Sequence, residues 1–400
     1  MLFEKFEHMA RFQAELKAQN VVPFGAVTEK ILSATEAMVN GRKVILAGTN
    51  NYLGLSFDPR CISAAQEAAG NWGTGTTGSR LANGTFSEHQ MLESELAAFH
   101  GVNHAIIFTT GYAATMGMCA TLAGPGEVLL LDADSHASIY AGAQLSGAEI
   151  IRFKHNDPDD LARRLRRLGE RASQTLIVVE GIYSMLGDTA PLQEIAAVKR
   201  EYGGWLFVDE AHSMGVLGTH GRGAAEAAGI ENETDFIAGT FSKSLGGTGG
   251  YCVSRHPELE TIRYCIRSYI FTASSSPMIV ASTRKALQIL QHEPGLRSQL
   301  WDNARRLYRG LQALGLQVGP SPSPVVAVSL EDRTQAINCW NALMEAGIYV
   351  NLVVPPASPS TRSLLRNSIS AAHSSAQVDA IISSYAGLVD TGLIGTRQHG

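Results

Sequence analysis

The turn Gly239-Thr-Phe-Ser-Lys243-Ser sets one lysine among small and hydroxyl-bearing residues. A short distance upstream, Val208-Asp-Glu-Ala-His212 ends an apolar run in an aspartate. A lysine in such a turn suits Schiff-base chemistry with an aldehyde cofactor, and the flanking hydroxyls suit its phosphate. An aspartate closing a buried strand can keep a pyridine nitrogen protonated. In this order the two segments describe a pyridoxal phosphate site. A lone lysine in a Gly/Ser loop is more often merely solvated, so the pairing with Asp209 carries the reading.

Other polar clusters fall at equivalent places. Thr109-Thr-Gly111-Tyr112 follows the apolar run Ala105–Phe108, Asp132-Ala-Asp-Ser-His136 follows Val128–Leu131, and Glu180-Gly-Ile-Tyr-Ser184 follows Leu176–Val179. Open α/β sheets bind ligands beyond the carboxyl ends of their strands, so these clusters should converge. Gly111 and Tyr112 open a helix whose free N–H groups can hold a phosphate, with Thr240 and Ser242 adding hydroxyls. His136 is placed to lie over a cofactor ring, His212 to reach its phenolic oxygen, and Ser184 to touch cofactor or substrate. The Gly246-Gly-Thr-Gly-Gly250 run is not a Walker motif and is read as backbone freedom beside the lysine. Asp132 and Asp134 lack the further ligands of a metal site, so no metal is expected.

The elements that must position these residues alternate short apolar runs with helix-length segments such as 159–168 and 192–202. This predicts an α/β fold, a mostly parallel sheet with helices on both faces. Gly250–Val253 is expected as a further, antiparallel strand. One long helix is expected from Met278 to about Leu314, then a strand at 325–328, a helix near 333–346, a strand at 349–350 and a last helix after Ser375. The expected division is an N-terminal arm (1–45, helical near residues 3–16), a large cofactor-binding domain (46–285) and a smaller C-terminal α+β domain (286–400). The loop Val354-Pro-Pro-Ala-Ser-Pro359 is expected to line a cleft.

Composition narrows the function further. A chain of 400 residues that is 45% hydrophobic and 17% charged has the composition of a soluble globular protein, and a net charge of -5 without a basic run gives no reason to expect nucleic acid. Five scattered cysteines favour reduced thiols, the charged N-terminus argues against a signal peptide, and no run is long enough for a membrane span. A cytoplasmic protein is expected, with no more than a weak peripheral membrane contact through the arm.

Asn51-Tyr-Leu-Gly54, Gly73-Thr-Gly-Thr-Thr-Gly-Ser-Arg80, Asn83-Gly-Thr85, Asp134-Ser-His-Ala-Ser138, Asp209–His212, Gly239–Ser244 and Phe271-Thr-Ala-Ser274 together resemble the α-oxoamine synthases. These are fold-type I pyridoxal phosphate enzymes, and the likeness spans about residues 30–385. Gly78–Thr85, Glu180–Asp188 and Tyr269–Ser274 bring it nearest to bacterial members that condense L-serine with a long-chain acyl-CoA. The resemblance implies a large domain plus a smaller C-terminal one, with Lys243 as the Schiff-base lysine, Asp209 at the pyridine nitrogen, His136 on the ring and His212 near its phenolic oxygen. It implies that Thr272 reaches the neighbouring subunit's phosphate, hence a homodimer with composite sites. Substrate contacts are implied for Asn51, Ser79 and Arg366, the last with the amino acid carboxylate. Some bacterial members carry a second arginine where this chain has Val354, which leaves the carboxylate to Arg366. Two alternatives stand beside this reading: a sister synthase using glycine or alanine with a shorter acyl-CoA, and a non-catalytic partner subunit, against which the joint presence of Lys243, Asp209, His136 and His212 argues.

Overall fold

Runs of Val, Ile, Leu and Phe without polar alternation need cover on both faces, and a parallel sheet wrapped in helices provides it. In the computed structural model, which describes residues 2–21, 26–355, 357–358 and 361–395, seven such runs form one sheet. They are β1 (His104–Phe108), β2 (Val128–Asp132), β3 (Glu149–Phe153), β4 (Thr175–Glu180), β5 (Trp205–Asp209), β6 (Phe236–Thr240) and β7 (Gly250–Ser254). Their order across the sheet is β1-β7-β6-β5-β4-β2-β3. All run parallel except β7, which lies antiparallel between β1 and β6. The fold is α/β, and the sequence expectation for β7 holds.

Contacts divide the chain into two units, one of Asn51–Ser184 with Asp188–Ser298, the other of Met1–Asn50 with Met185–Gly187 and Gln299–Gly400. The first holds the seven-stranded sheet. Its core gathers Ile106, Phe108, Leu129, Leu131, Val178 and Phe207 from the strands with Met118, Cys119, Ile139 and Ala143 from the helices Gly111–Leu122 and Ala137–Ser146. At about 25 cal/mol per Å2 of apolar surface removed from water, each such side chain contributes roughly 1.5–3 kcal/mol. This core fixes the strand ends on which the polar clusters sit.

The second unit carries an antiparallel sheet of Val325–Leu330, Ser363–Ser368 and Asn351–Val353, and a four-stranded sheet that Ile348–Tyr349 joins in parallel to Arg42–Leu46. Residues 1–50 fall in this same unit. The helix Glu7–Ala18 packs Phe12 and Leu16, with Val21, on Ile337, Trp340 and Leu352, while Phe3, Phe6 and Met9 remain exposed.

One expectation is corrected and one strand is added. The single helix over 278–314 is two, Pro277–His292 and Gly295–Ala313. Pro294 has no N–H for the helical ladder and pushes Glu293 (φ -122, ψ 66) out of the helical region. The strand β3 carries no expectation at all. It is an edge strand with a largely exposed face, Glu149-Ile-Ile-Arg-Phe, so its apolar signal is short. Pro356, Pro359 and Ser360 of the proline-rich loop lie outside the described residues. Among the described residues no helix is long and apolar enough to cross a membrane, and the five cysteines are free thiols.

Candidate active site

Strands β2, β4, β5 and β6 end in Asp132, Glu180, Asp209 and Thr240, all buried. Beyond the last three of these ends opens a cavity of ≈ 270 Å3 whose lining includes Gly111, Tyr112, His136, Asp209, His212, Thr240, Ser242 and Lys243. The clusters read from the sequence therefore meet in one place. The whole lining belongs to the first unit.

Asp209 stands at the centre. Its Oδ2 accepts a hydrogen bond from the Thr115 hydroxyl at 2.9 Å and its Oδ1 one from the Ala211 N–H at 2.9 Å. Both donors fix the plane of the carboxyl group. Glu180 is its register partner on the adjacent parallel strand. Burial, reinforced by the Asp209 charge, pushes the Glu180 carboxyl well above the usual range. Its Oε1 accepts the backbone N–H of His136 at 2.5 Å.

His136 caps the helix Ala137–Ser146. Its Nδ1 accepts the Ser138 N–H at 3.2 Å and lies 2.8 Å from the Ser138 hydroxyl. Burial, with the nearby Lys243 charge adding to it, lowers the imidazole pKa against the pull of Asp209. The ring is thus neutral with its proton on Nε2. The edge of the Tyr112 ring packs against it at 6.3 Å between centroids. On another wall, the Nδ1 of His212 pairs with the hydroxyl of fully buried Tyr52 at 2.7 Å.

The remaining wall is an anion cradle. Thr110 caps the helix Gly111–Leu122 by accepting the Ala113 N–H at 3.0 Å, which leaves the Gly111 and Tyr112 N–H groups outside the helical ladder at its positive end. A Cβ on Gly111 would come within 2.6 Å of Thr240 Cβ, so glycine alone lets the helix start this close to β6. Thr240 donates its hydroxyl to the Gly249 carbonyl at 3.0 Å and accepts the Ser242 N–H at 3.2 Å, and the two hydroxyls lie 2.9 Å apart. Gly249 holds φ +144 against the Phe241 ring, a backbone closed to other residues. We expect Gly111→Ala to weaken cofactor phosphate binding about tenfold, measured by absorbance titration of the apo-protein; unchanged affinity would place the phosphate elsewhere.

Not every residue singled out in the sequence reaches this cavity. Ser184 lies beyond β4 outside the lining. Asn51 accepts the Ser56 N–H at 3.3 Å, and Ser79 shapes a turn through the N–H groups of Ala82 and Gly84 and bridges to Ala273. Thr272 lines a separate small cleft with Arg80 and Tyr269. Arg366 belongs to the second unit, buried, with Nη1 2.7 Å from the Ser368 hydroxyl and 3.1 Å from Asn50 Oδ1. Conversely, Thr115, Ser138, Glu180 and Tyr52 hold the site together and were missed as site residues. Thr115 had a signal, since it falls one helical turn beyond Gly111. Among the described residues no His/Cys/Asp/Glu group is arranged to hold a metal.

A profile of the class I and II aminotransferases matches residues 42–384. The chain belongs to this family, in its α-oxoamine synthase branch. It is 57% identical over 386 residues, 96% of its length and 95% of the other's, to a serine palmitoyltransferase of Caulobacter vibrioides. Among solved structures, a Sphingomonas wittichii serine palmitoyltransferase superposes with a TM-score of 0.96 at 48% identity, covering 99% of this chain and 100% of that one. A serine palmitoyltransferase structure described as carrying its pyridoxal phosphate internal aldimine gives 0.96 at 47%, covering 98% and 100%. The fold is that of the fold-type I enzymes. The cavity fits their cofactor: it offers a helix N-terminus and hydroxyls for a phosphate, a buried carboxylate for a ring nitrogen, and a lysine for the aldehyde.

Proposed function

We propose that this chain joins L-serine to a long-chain acyl-CoA such as palmitoyl-CoA, releasing CoA and carbon dioxide and giving 3-ketodihydrosphingosine, the first step of sphingolipid synthesis. The observation that supports this best is the meeting of Lys243, Asp209, His136 and the Gly111 helix N-terminus on one cavity. When bound, pyridoxal phosphate supplies an electron sink for charge at the amino acid α-carbon. Gly111, Tyr112 and Ser242 hold its phosphate, and Lys243 anchors its aldehyde. Asp209, fixed by Thr115 and Ala211, keeps a proton on the pyridine nitrogen, while His212, oriented by Tyr52, serves the phenolic oxygen. Lys243 Nζ then takes the α-proton of serine. The bond between the α-carbon and the thioester carbonyl forms as the C–S bond breaks and CoA leaves as its thiolate; the bond to the carboxylate is then lost as carbon dioxide, and the α-carbon takes back a proton from Lys243 Nζ. Neutral His136 can donate from Nε2 to that carboxylate until then.

In the same reading the enzyme is a cytoplasmic homodimer, with Thr272 serving the neighbouring subunit's phosphate; its place outside the cavity of its own chain accords with that. Purified protein reconstituted with pyridoxal phosphate and given palmitoyl-CoA with L-serine, glycine or L-alanine should form a long-chain ketone only with serine. Turnover of glycine or alanine with a shorter acyl-CoA would move it to a sister activity. Failure to bind the cofactor at all would make it a non-catalytic subunit.

A further inference from the structure

The reading above gives no part to His155. Its imidazole bridges two carboxylates, with Nδ1 2.8 Å from Asp132 Oδ1 and Nε2 2.7 Å from Asp188 Oδ2. Neither His155 nor either aspartate lines the cavity. What the bridge ties together is the backbone on both sides of His136.

On one side, the Asp132 carboxylate is the hub of the loop that leads from β2 to His136. Its Oδ1 also accepts the Asp134 N–H at 2.8 Å, and its Oδ2 the Asn156 N–H at 2.9 Å. On the other side, Asp188 Oδ2 accepts the Asn156 side-chain amide at 2.8 Å, and the Asp188 carbonyl accepts the Tyr183 N–H at 2.8 Å. That second loop leaves β4 directly after Glu180, whose carboxyl holds the His136 N–H. Asn156 makes these bonds, and a third to the Thr189 carbonyl at 3.1 Å, from the left-handed region at φ 51, a conformation Asn adopts more readily than other side chains with a Cβ. The Tyr183 ring packs edge-on against the His155 ring at 4.5 Å.

We infer that His155 is a positioning residue: as a cation clamped between Asp132 and Asp188, it locks the two loops that set where His136 lies. The two carboxylates are buried, Asp132 completely. Without the imidazolium they would face each other as uncompensated like charges. Burial works against the charge on His155, but its bonds to Asp132 and Asp188 prevail and raise its pKa to about 10. The clamp is therefore closed throughout the neutral range. A salt bridge that only adds stability would act on the whole unit, whereas this one acts on two particular loops.

The assignment of His136 to the cofactor ring rests on the proposed function, but the clamp can be tested without it. Hydrogen–deuterium exchange of the full apo-chain should show amides of 132–137 exchanging about tenfold faster in His155→Gln, with the helix Pro277–His292 unchanged. After reconstitution, the same variant should lose half or more of the visible circular dichroism of the bound cofactor, and kcat should fall about tenfold with KM for acyl-CoA within twofold. Unchanged exchange at 132–137, or an equal rise in both segments, would overturn the inference. If His155→Gln does not fold, Asp188→Asn opens one end of the clamp and is read in the same way. A local rise in exchange in a protein that does not turn over serine would keep the clamp and refute the proposed reaction.

Discussion

Replacing Lys243 with alanine should abolish turnover, by at least about 10^3-fold, while the protein keeps its fold. The lysine has two tasks in the proposed reaction: it anchors the cofactor aldehyde and it moves the α-proton. A positioned base alone is worth about 10^2–10^4 in rate, and loss of the covalent anchor adds to that. Little stability is at stake. Lys243 lies in the turn after β6, half-buried, on a backbone that Gly246 and Gly249 bend at positive φ. Substitutions outside the core usually shift stability by no more than about 0.5 kcal/mol. The measurements are steady-state rates with L-serine and palmitoyl-CoA beside thermal melts of both proteins. Wild-type rates in the variant would remove Lys243 from the chemistry. A collapse of the melting temperature would make it structural.

The fold was legible wherever burial writes a simple pattern. β1, β2, β4, β5 and β6 are buried on nearly all their length, so each is an apolar run bounded by polar residues, and because all five run parallel their carboxyl ends fall along one edge of the sheet. β3 was not legible because an edge strand needs no such run. The break at Pro294 is the opposite case: its signal was present, but two amphipathic helices in succession share a periodicity that hides the junction.

In the site, what the sequence displayed were residues whose chemistry is unusual for their position, such as Lys243 in a small-residue turn or Asp209 closing a strand. What it concealed were the residues that orient them. Thr115 is an ordinary helix residue until the fold sets its hydroxyl against Asp209 Oδ2, 94 positions away in sequence. Tyr52 and His212 pair across a still longer separation. Glu180 was visible as the end of a strand, but the upward shift of its carboxyl follows from complete burial and from lying in register with Asp209, which no linear reading supplies. The motif residue Ser79 likewise has a backbone role that no linear reading displays, accepting the N–H groups of Ala82 and Gly84 in a turn.

The second large effect is expected at Asp209. Asp209→Asn preserves shape and volume and removes only the charge, so it isolates the electrostatic contribution. Two donors, the Thr115 hydroxyl and the Ala211 N–H, point at this side chain. An amide can present its oxygen to only one of them, and its NH2 group would face the other donor or the pyridine nitrogen. Either way the ring nitrogen loses the negative partner that holds its proton, and the ring withdraws electrons less strongly from the α-carbon. Loss of one preorganised electrostatic partner costs about 10^2–10^3 in kcat. The phosphate cradle and Lys243 are untouched, so cofactor affinity should fall far less than kcat does. Thr115→Val provides the control within the site: it leaves the Asp209 charge in place and removes one donor, a loss of about 1.5–3 kcal/mol for a bond to a charged group if none of it is recovered by relaxation. Its rate should therefore fall between those of the wild type and Asp209→Asn. Equal rates for Asp209→Asn and the wild type would mean that the ring nitrogen is not protonated in this enzyme, and the electron-sink role assigned to this cavity would have to be abandoned.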